Sequence, residues 1–294
     1  MERLIRAEGL AKRYDGFALE GLSLTVPAGT VVGLIGSNGS GKTTTLKAIL
    51  GMTALDAGTV ELLGCDPHAP GADLVAIKRR IGVVLDTCAF PVTMRVRDVG
   101  DLGKAAYRCW DPTEFERLCE RFGLTPKKPV KGLSRGMGMK LSLAFALAHR
   151  PDLLVLDEAT AGLDPLARDE VLDLLRGFME EEGHAILMST HITTDLEKIA
   201  DEVVCIDEGR LAFSAPKDAI CDDAGIARCR TADLERLASS GAFAAGSLRA
   251  LPRGMAVDVL VPDRFACARA LPDVAVDRAS IEDYMTIMLK GEAL

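Results

Sequence analysis

The sequence has no apolar run of about 18 residues, the length needed to cross the hydrocarbon core of a bilayer. Its first residues alternate between charged and apolar side chains and lack the continuous apolar core of a signal peptide. We therefore expect a cytoplasmic protein. Any function at a membrane would then require a membrane-embedded partner.

The sequence is also poor in the features of zinc-binding, disulfide-bonded and nucleic-acid-binding proteins. Its eight cysteines form no C-x-x-C pair and lie near no histidine cluster, so we expect reduced and mostly buried thiols. Basic residues number 35 against 43 acidic ones, which gives a formal net charge of −8. Proteins that bind a polyphosphate backbone normally have the opposite sign, so nucleic acid is not expected as a partner.

Internal repeats, heptads and low-complexity segments are absent as well. What remains is the composition of a globular protein, with 48% hydrophobic and 27% charged residues. At 294 residues the chain exceeds one average domain. We therefore expect one principal domain with a smaller appendage.

A glycine-rich stretch at residues 36–44 fits the pattern G-x-x-x-x-G-K-[S/T], and it lies between a buried strand at residues 31–35 and a helix. The glycines let successive N–H groups converge on phosphate oxygens, and a helix N-terminus favours the same negative charge. Lys42 is suited to bind the β- and γ-phosphates, and the Thr43 hydroxyl is suited to bind Mg²⁺. The alternative, a turn that binds nothing, leaves the Lys-Thr pair and both flanks unexplained. The predicted nucleotide-binding residues here are Gly36, Ser37, Asn38, Gly39, Ser40, Gly41, Lys42, Thr43 and Thr44.

A second informative stretch, residues 153–158, is a continuous apolar run that ends in two acids, Asp157 and Glu158. Such a run is typical of a central parallel strand, and phosphates in open α/β sheets lie at the carboxyl ends of these strands. The two acids could simply cap the next helix. With a phosphate loop upstream, we interpret Asp157 as part of the Mg²⁺ shell and Glu158 as the group beside an attacking water.

Other buried strands end in polar residues at the same edge. Residues 81–85 lead to Asp86, and residues 185–190 lead to His191, although a lone histidine is more often structural than catalytic. Tyr14, on an amphipathic strand, could either stack on a nucleobase or belong to the core.

The remaining pattern predicts an antiparallel strand set over residues 4–26, a mostly helical region over 99–133 and a hairpin over 203–213. Ser134 fits as the N-cap of a buried helix, and capping alone would explain it. In the tail, helices at residues 231–237 and 280–289 and a strand at 257–261 predict a small α+β interaction element.

Four motifs occur in the order found in the ATP-binding subunit of an ABC transporter, which this chain therefore resembles. They are the phosphate loop, the sequence Leu-Ser-Arg-Gly-Met at residues 133–137, the strand that ends in Asp-Glu, and the sequence Gly-Leu-Asp at residues 162–164. The resemblance covers about residues 2–215. The tail more loosely resembles the C-terminal extensions of bacterial subunits whose permease is a separate chain.

This resemblance implies an α/β P-loop NTPase fold, with a mostly parallel sheet and an antiparallel β subdomain. It implies an ATPase domain at residues 1–215 that includes a helical signature subdomain at about 87–150, and an α+β accessory region at 216–294. It also implies ATP and Mg²⁺ as ligands and an integral membrane permease as partner. Two ATPase subunits, identical or related, would sandwich two ATP molecules head to tail at the inner face of the cell membrane.

The resemblance assigns roles to single residues. Tyr14 matches the aromatic that stacks on adenine, and Asp86 matches the Q-loop position. Ser134 and Gly136 match signature residues that contact the γ-phosphate held by the opposing subunit. The implied sites are then Lys42, Glu158 and His191 for catalysis, Asp164 in the D-loop for nucleotide contact, and Thr43, Asp86 and Asp157 for the metal.

Three residues depart from the family pattern, namely Arg135 for glycine, Ala159 for proline and Asp86 for glutamine. A carboxylate at Asp86 predicts an unusually strong dependence of ATP binding on Mg²⁺. The alternative is that Asp86 faces the permease and serves only coupling.

We expect an ATPase that energises a permease, with the direction of an exporter because no binding-protein partner is evident. One alternative is an ABC-type ATPase in nucleic-acid or ribosome-associated work, which normally has long coiled coils or two ATPase halves. A regulator that binds nucleotide without hydrolysis is another, and it would require the loss of Glu158 or His191. Neither set of features is present in the sequence.

Overall fold

The computed structural model describes residues 2–244 and 246–294, and these form three β-sheets with helices packed against them. The strands are β1 (Arg3–Tyr14), β2 (Phe17–Pro27), β3 (Val31–Ile35), β4 (Ala57–Leu62), β5 (Ile81–Val84), β6 (Leu153–Asp157), β7 (Ala185–Ser189), β8 (Glu202–Asp207), β9 (Arg210–Pro216), β10 (Gly225–Cys229), β11 (Arg249–Arg253), β12 (Ala256–Val261), β13 (Val276–Arg278) and β14 (Glu292–Ala293). The helices are α1 (Lys42–Ile49), α2 (Leu74–Arg79), α3 (Val96–Ala106), α4 (Pro112–Arg121), α5 (Arg135–Ala148), α6 (Pro165–Met179), α7 (Thr193–Ile199), α8 (Thr231–Ala238), α9 (Arg264–Ala270) and α10 (Ile281–Lys290).

The central sheet has the strand order β5-β6-β7-β3-β8-β9. All neighbours pair in parallel except β8 and β9, which form the predicted hairpin. Every residue of β3, β6 and β7 is buried, as expected for apolar strands covered on both faces. The carboxyl ends of these three strands therefore meet at one edge, and the predicted mostly parallel sheet is confirmed.

The N-terminal strands form a separate antiparallel sheet of order β2-β1-β4, as the sequence predicted. The tight turn of the β1–β2 hairpin pairs Tyr14 with Phe17 and brings Phe17 to the phosphate loop. A Cβ atom on Gly41 would lie only 2.9 Å from Cζ of Phe17. Glycine is favoured at position 41 by its φ of 115°, and a larger residue there would also have to displace the Phe17 ring.

The mostly helical region is confirmed as α3 and α4, followed by a short 3₁₀ turn at Val130–Gly132. Helix α4 ends where Gly123 adopts a φ of 66°, and the prolines at 126 and 129 keep the next segment out of a helix. Trp110 packs against Phe115 and Phe145, with ring centroids 5.2 and 5.1 Å away. This packing attaches the helical region to α5, which is buried on most of its surface.

The tail forms a five-stranded antiparallel sheet of order β13-β10-β12-β11-β14, with its own hydrophobic core. The predicted α8, β12 and α10 are confirmed. The other four strands and α9 were not predicted. Strands β10, β11 and β13 have at most five residues and contain arginine, glycine or proline, and β14 has only two residues, so no alternating pattern marks them.

Helix α10 attaches the tail to the central sheet. Ile281 is fully buried in the core cluster that contains Leu196 and Phe213, and the Tyr284 ring packs edge-on against Phe213 at 5.1 Å. The backbone N–H of Ile281 donates to Oε1 of Glu197 on α7 at 3.0 Å. The tail is thus bonded to the helix that follows His191.

In the described part of the chain, no helix combines the length and the apolar character that a membrane span requires. The eight cysteines are free thiols, and five of them are buried.

Candidate nucleotide-binding site

The loop between β3 and α1 has a backbone that only glycine adopts easily. Gly36, Gly39 and Gly41 have φ angles of 149°, 83° and 115°. A Cβ atom on Gly36 would lie 2.1 Å from the carbonyl oxygen of Ile206. Gly41 is the N-cap of α1 and supplies no capping side chain, so the first amides of the helix stay available to an anion.

Lys42 lies along this loop with its ammonium group bonded to backbone. Its Nζ donates to the carbonyl oxygens of Gly36 at 2.9 Å and Ser37 at 3.1 Å, and the residue is buried. The hydroxyl of Ser40 is also buried, and it has no hydrogen-bond partner in the described part of the chain. A loop with an orphaned hydroxyl, uncapped amides and a cation fits an anionic ligand.

Asp157, at the end of β6, is buried with both carboxylate oxygens occupied. Thr43 Oγ1 donates to Oδ2 at 2.7 Å, and Ser189 Oγ donates to Oδ1. Strands β6 and β7 are neighbours in the sheet, and their register pairs Asp157 with Ser189, which sets this geometry. Hydroxyl and carboxylate oxygens are the ligands that Mg²⁺ prefers, so Thr43 and Asp157 fit the metal that the sequence predicts.

Glu158 directly follows Asp157, in a conformation that is rare for its residue type. Its φ is 53°, and holding a non-glycine residue there costs about 1 to 3 kcal/mol. The bond from its own N–H to the carbonyl oxygen of Ser189, 3.0 Å long, helps to fix the turn. The side chain points to His191, whose Nδ1 lies 2.6 Å from Oε2 of Glu158.

The phosphate loop, Glu158 and His191 line one open cavity of about 840 Å³. It is lined by Gly16, Phe17, Asn38, Gly39, Gly41, Lys42, Thr43, Thr44, Asp86, Arg135, Glu158, Ala161, Gly162 and His191. The cavity therefore brings the phosphate loop together with Asp86, Glu158 and His191. Its size is in the range of pockets that bind small molecules.

The turn between β1 and β2 brings to the cavity one residue, Phe17, that was not predicted from the sequence. Phe17 lines the cavity, whereas Tyr14 does not. The Tyr14 side chain is 44% exposed, and its hydroxyl lies 3.3 Å from Oγ1 of Thr53. The sequence signal that could have identified Phe17 is its aromatic side chain directly after the Asp15-Gly16 turn.

Seven further predicted residues are not part of the cavity lining, namely Gly36, Ser37, Ser40, Ser134, Gly136, Asp157 and Asp164. Ser134 Oγ accepts from Met137 N at 3.2 Å, and Asp164 Oδ1 accepts from Ala167 N at 3.0 Å. Both therefore cap helices. Gly136 lies against Leu163, because a Cβ atom at this glycine would be 2.8 Å from a Leu163 methyl group.

The family model described as ABC transporter matches residues 19–161. The Nod factor export ATP-binding protein I of Ralstonia nicotianae is 39% identical over 234 residues, which cover 76% of this chain and 70% of that protein. The bacitracin transport ATP-binding protein of Bacillus licheniformis is 31% identical over 221 residues, or 74% of this chain and 71% of that protein.

A solved structure described as the ATP-binding subunit of an ABC transporter superposes with a TM-score of 0.67 at 28% identity, covering 74% of this chain and 91% of that one. Sequence and fold agree with these relatives. The chain therefore belongs to the family of ABC transporter ATP-binding subunits, ATPases that use ATP and Mg²⁺ and work with membrane permeases.

Proposed function

We propose that this chain binds MgATP at residues 36–44, hydrolyses it with Glu158 as general base, and thereby drives export through a separate membrane permease. The observation that carries the proposal is the contact between Glu158 and His191 beside the phosphate loop. A carboxylate, an orienting histidine and a phosphate cradle in one cavity are the parts that hydrolysis of a triphosphate requires.

Phosphate binding is assigned to the loop and to Lys42. The Lys42 ammonium exchanges its bonds to the Gly36 and Ser37 carbonyls for bonds to phosphate oxygens. Thr43 and Asp157 would hold the metal, and Asp86 lines the cavity together with Thr43. Bound Mg²⁺ would neutralise negative charge on the β- and γ-phosphates.

Water activation is assigned to Glu158. Its carboxylate accepts a proton from water as the water oxygen attacks the γ-phosphorus, and the leaving group is ADP. His191 holds this carboxylate through Nδ1, so the base keeps one orientation although its side chain has several rotatable bonds.

We infer a dimer for the working enzyme, from two copies of this chain or from one copy and a related subunit. Ser134 and Gly136 lie at the start of α5 and outside their own cavity, so a γ-phosphate contact by them requires the cavity of another subunit. The C-terminal residues 216–294 are then an accessory region to an ATPase domain at residues 1–215. We further propose that Tyr14 stacks on adenine and that Asp164 contributes from the D-loop.

Export and location are inferred from the relatives. The Nod factor export protein and the bacitracin transport protein are both named for movement of a substrate by an ATP-binding subunit. We therefore place the chain in the cytoplasm, at the inner face of the membrane through its permease.

Co-purification tests the transporter role. The tagged chain is purified from detergent extracts of its native host in the presence of MgATP and examined by mass spectrometry. We expect a multi-spanning membrane protein in near-stoichiometric amount. Recovery of ribosomal or nucleic-acid-processing partners in its place would contradict the transporter role.

A further inference from the structure

Asp195, on helix α7, is a buried carboxylate that has no part in the hydrolysis proposed above. Its side chain is 1% exposed, and neither of its oxygens has a hydrogen-bond partner in the described part of the chain. Arg168 on α6 supplies the opposite charge, with its Nε 3.9 Å from Oδ1 of Asp195. A buried carboxylate is costly unless a cation compensates its charge, so Asp195 depends on Arg168.

Each member of this ion pair lies on the helix that follows a proposed catalytic side chain. Asp195 is in the first turn of α7, four positions after His191. Arg168 is near the start of α6, and its Nη2 donates to the carbonyl oxygen of Leu163 at 3.4 Å. Leu163 belongs to the loop that begins at Glu158. The guanidinium group of Arg168 therefore contacts both the segment after the base and the segment after the histidine.

Two connections then enclose the contact between Glu158 and His191. On one side, β6 and β7 pair in parallel along their whole length, which fixes where the two segments leave the sheet. On the other side, the ion pair of Arg168 and Asp195 joins the helices to which these segments lead. Nδ1 of His191 is only 2.6 Å from the Glu158 carboxylate, and a hydrogen bond of this length tolerates little displacement of either segment.

We propose that Arg168 and Asp195 are positioning residues for hydrolysis, because their ion pair holds the first turn of α7 and so keeps His191 within hydrogen-bond distance of the base. The proposal rests on the role proposed above for Glu158. Neither Arg168 nor Asp195 lines the nucleotide cavity, so they act through His191 and not on ATP itself. A displacement of about 1 Å at a catalytic group can cost about 10²-fold in rate. Loss of the pair therefore slows hydrolysis while nucleotide affinity is retained.

A second ion pair joins the same two helices and provides the matched control. Nζ of Lys198 lies 2.6 Å from Oδ1 of Asp169, and the two side chains are 46% and 55% exposed. Exposed pairs of this kind contribute little to stability. Asp169 directly follows Arg168 in α6, so Asp169→Asn makes the same chemical change at the neighbouring position. Asp195→Asn and Asp169→Asn thus differ in burial and in the proposed link to His191.

The first measurement is phosphate release by the full chain at varied MgATP. Asp195→Asn should lower kcat about tenfold or more and change KM by less than about twofold, whereas Asp169→Asn should match the wild type. Arg168→Gln should lower kcat to a similar extent, and Arg168→Lys, which keeps the charge, should recover part of the loss. Arg168→Gln leaves a buried carboxylate without its cation and should also lower the thermal midpoint. Asp195→Asn removes that buried charge, so it tests the proposal even if Arg168→Gln does not fold.

The second measurement observes His191 directly and requires no turnover. The chain has four histidines, so NMR of protein with labelled histidine gives few ring signals, and His191→Gln identifies the signal of His191. Asp195→Asn should shift this signal and leave the other three in place, because loss of the pair displaces the segment that carries His191. Asp169→Asn should shift none of them. A general loss of stability would not move the signals of the folded protein.

An unchanged His191 signal in Asp195→Asn would overturn the positioning role, as would a kcat equal to that of the wild type. A fall in kcat that follows the thermal midpoint in every variant, Asp169→Asn included, would overturn it too. Absence of hydrolysis by the wild-type chain, with the His191 signal shifted in Asp195→Asn as expected, would instead overturn the proposed function.

Discussion

Nδ1 of His191 lies 2.6 Å from a carboxylate oxygen of Glu158, although 33 positions separate the two residues in the chain. The contact exists because β6 and β7 are adjacent and parallel, so the residues that follow them leave the sheet at the same edge. The Asp-Glu pair at the end of an apolar run predicts a role for Glu158, whereas a lone histidine has no specific sequence signal. Their approach beside the phosphate loop supports the proposal that Glu158 acts as a base on a water molecule.

Lys42→Ala should abolish ATP binding. The ammonium group of Lys42 is buried beside the loop carbonyls, where contacts to several phosphate oxygens would depend on it. Calorimetry with MgATP measures the effect, with Lys131→Ala as an exposed control outside the cavity. An ATP affinity in Lys42→Ala equal to that of the wild type would contradict ATP binding by the phosphate loop.

Asp86 should make ATP binding depend strongly on Mg²⁺. Its carboxylate lies in the cavity with Thr43, and its negative charge opposes the phosphates unless a metal screens it. ATP is titrated with and without Mg²⁺ in the wild type and in Asp86→Gln. The wild type should lose more affinity on metal removal, and an equal loss in both proteins would leave Asp86 with a coupling role at the permease.

Ile281→Ala should detach α10 from the central sheet. The side chain is fully buried in the core cluster of Leu196 and Phe213, so truncation should lower the free energy of unfolding by about 2 to 5 kcal/mol. Met255→Ala is the control, because Met255 lies in the same region of the chain and is 97% exposed. Chemical denaturation measures both. Equal stability of the two variants would contradict the observed docking of the tail.

His149 should make the protein less stable in mild acid. The ring is buried against Tyr107, and burial lowers the pKa of His149 below its usual value. The unfolded chain then binds a proton more readily than the folded one, so stability is lost as pH falls through about 6.5. His149→Phe should flatten the change in unfolding free energy between about pH 7.5 and 5.5. An identical slope in the variant would contradict this.

The phosphate loop and the central strands could be predicted because their signals are local. A glycine-rich turn between two apolar segments specifies its own conformation, and the burial of β6 and β7 follows from continuous apolar runs. The proximity of Thr43 to Asp157 then follows from the rule that parallel strands meet at their carboxyl ends.

The remaining features depend on contacts between distant segments. Phe17 reaches Gly41 only because the first hairpin folds over the loop, and Arg135 reaches the cavity only because α5 begins beside Gly162. The bond between Glu197 and Ile281 joins residues 84 positions apart. No local pattern encodes such approaches, and the short strands of the tail sheet lack a pattern for the same reason.

The central claim is that Glu158 is the base of an ATPase, and one substitution tests it most directly. Glu158→Gln keeps the size of the side chain and removes its ability to take a proton. ATP hydrolysis by the purified chain is measured as phosphate release, with ATP affinity measured by calorimetry and Glu182→Gln, an exposed residue outside the cavity, as the control. We predict that Glu158→Gln lowers the rate about 10²- to 10⁴-fold with ATP affinity retained, while the control matches the wild type. A hydrolysis rate in Glu158→Gln equal to that of the wild type would contradict the account.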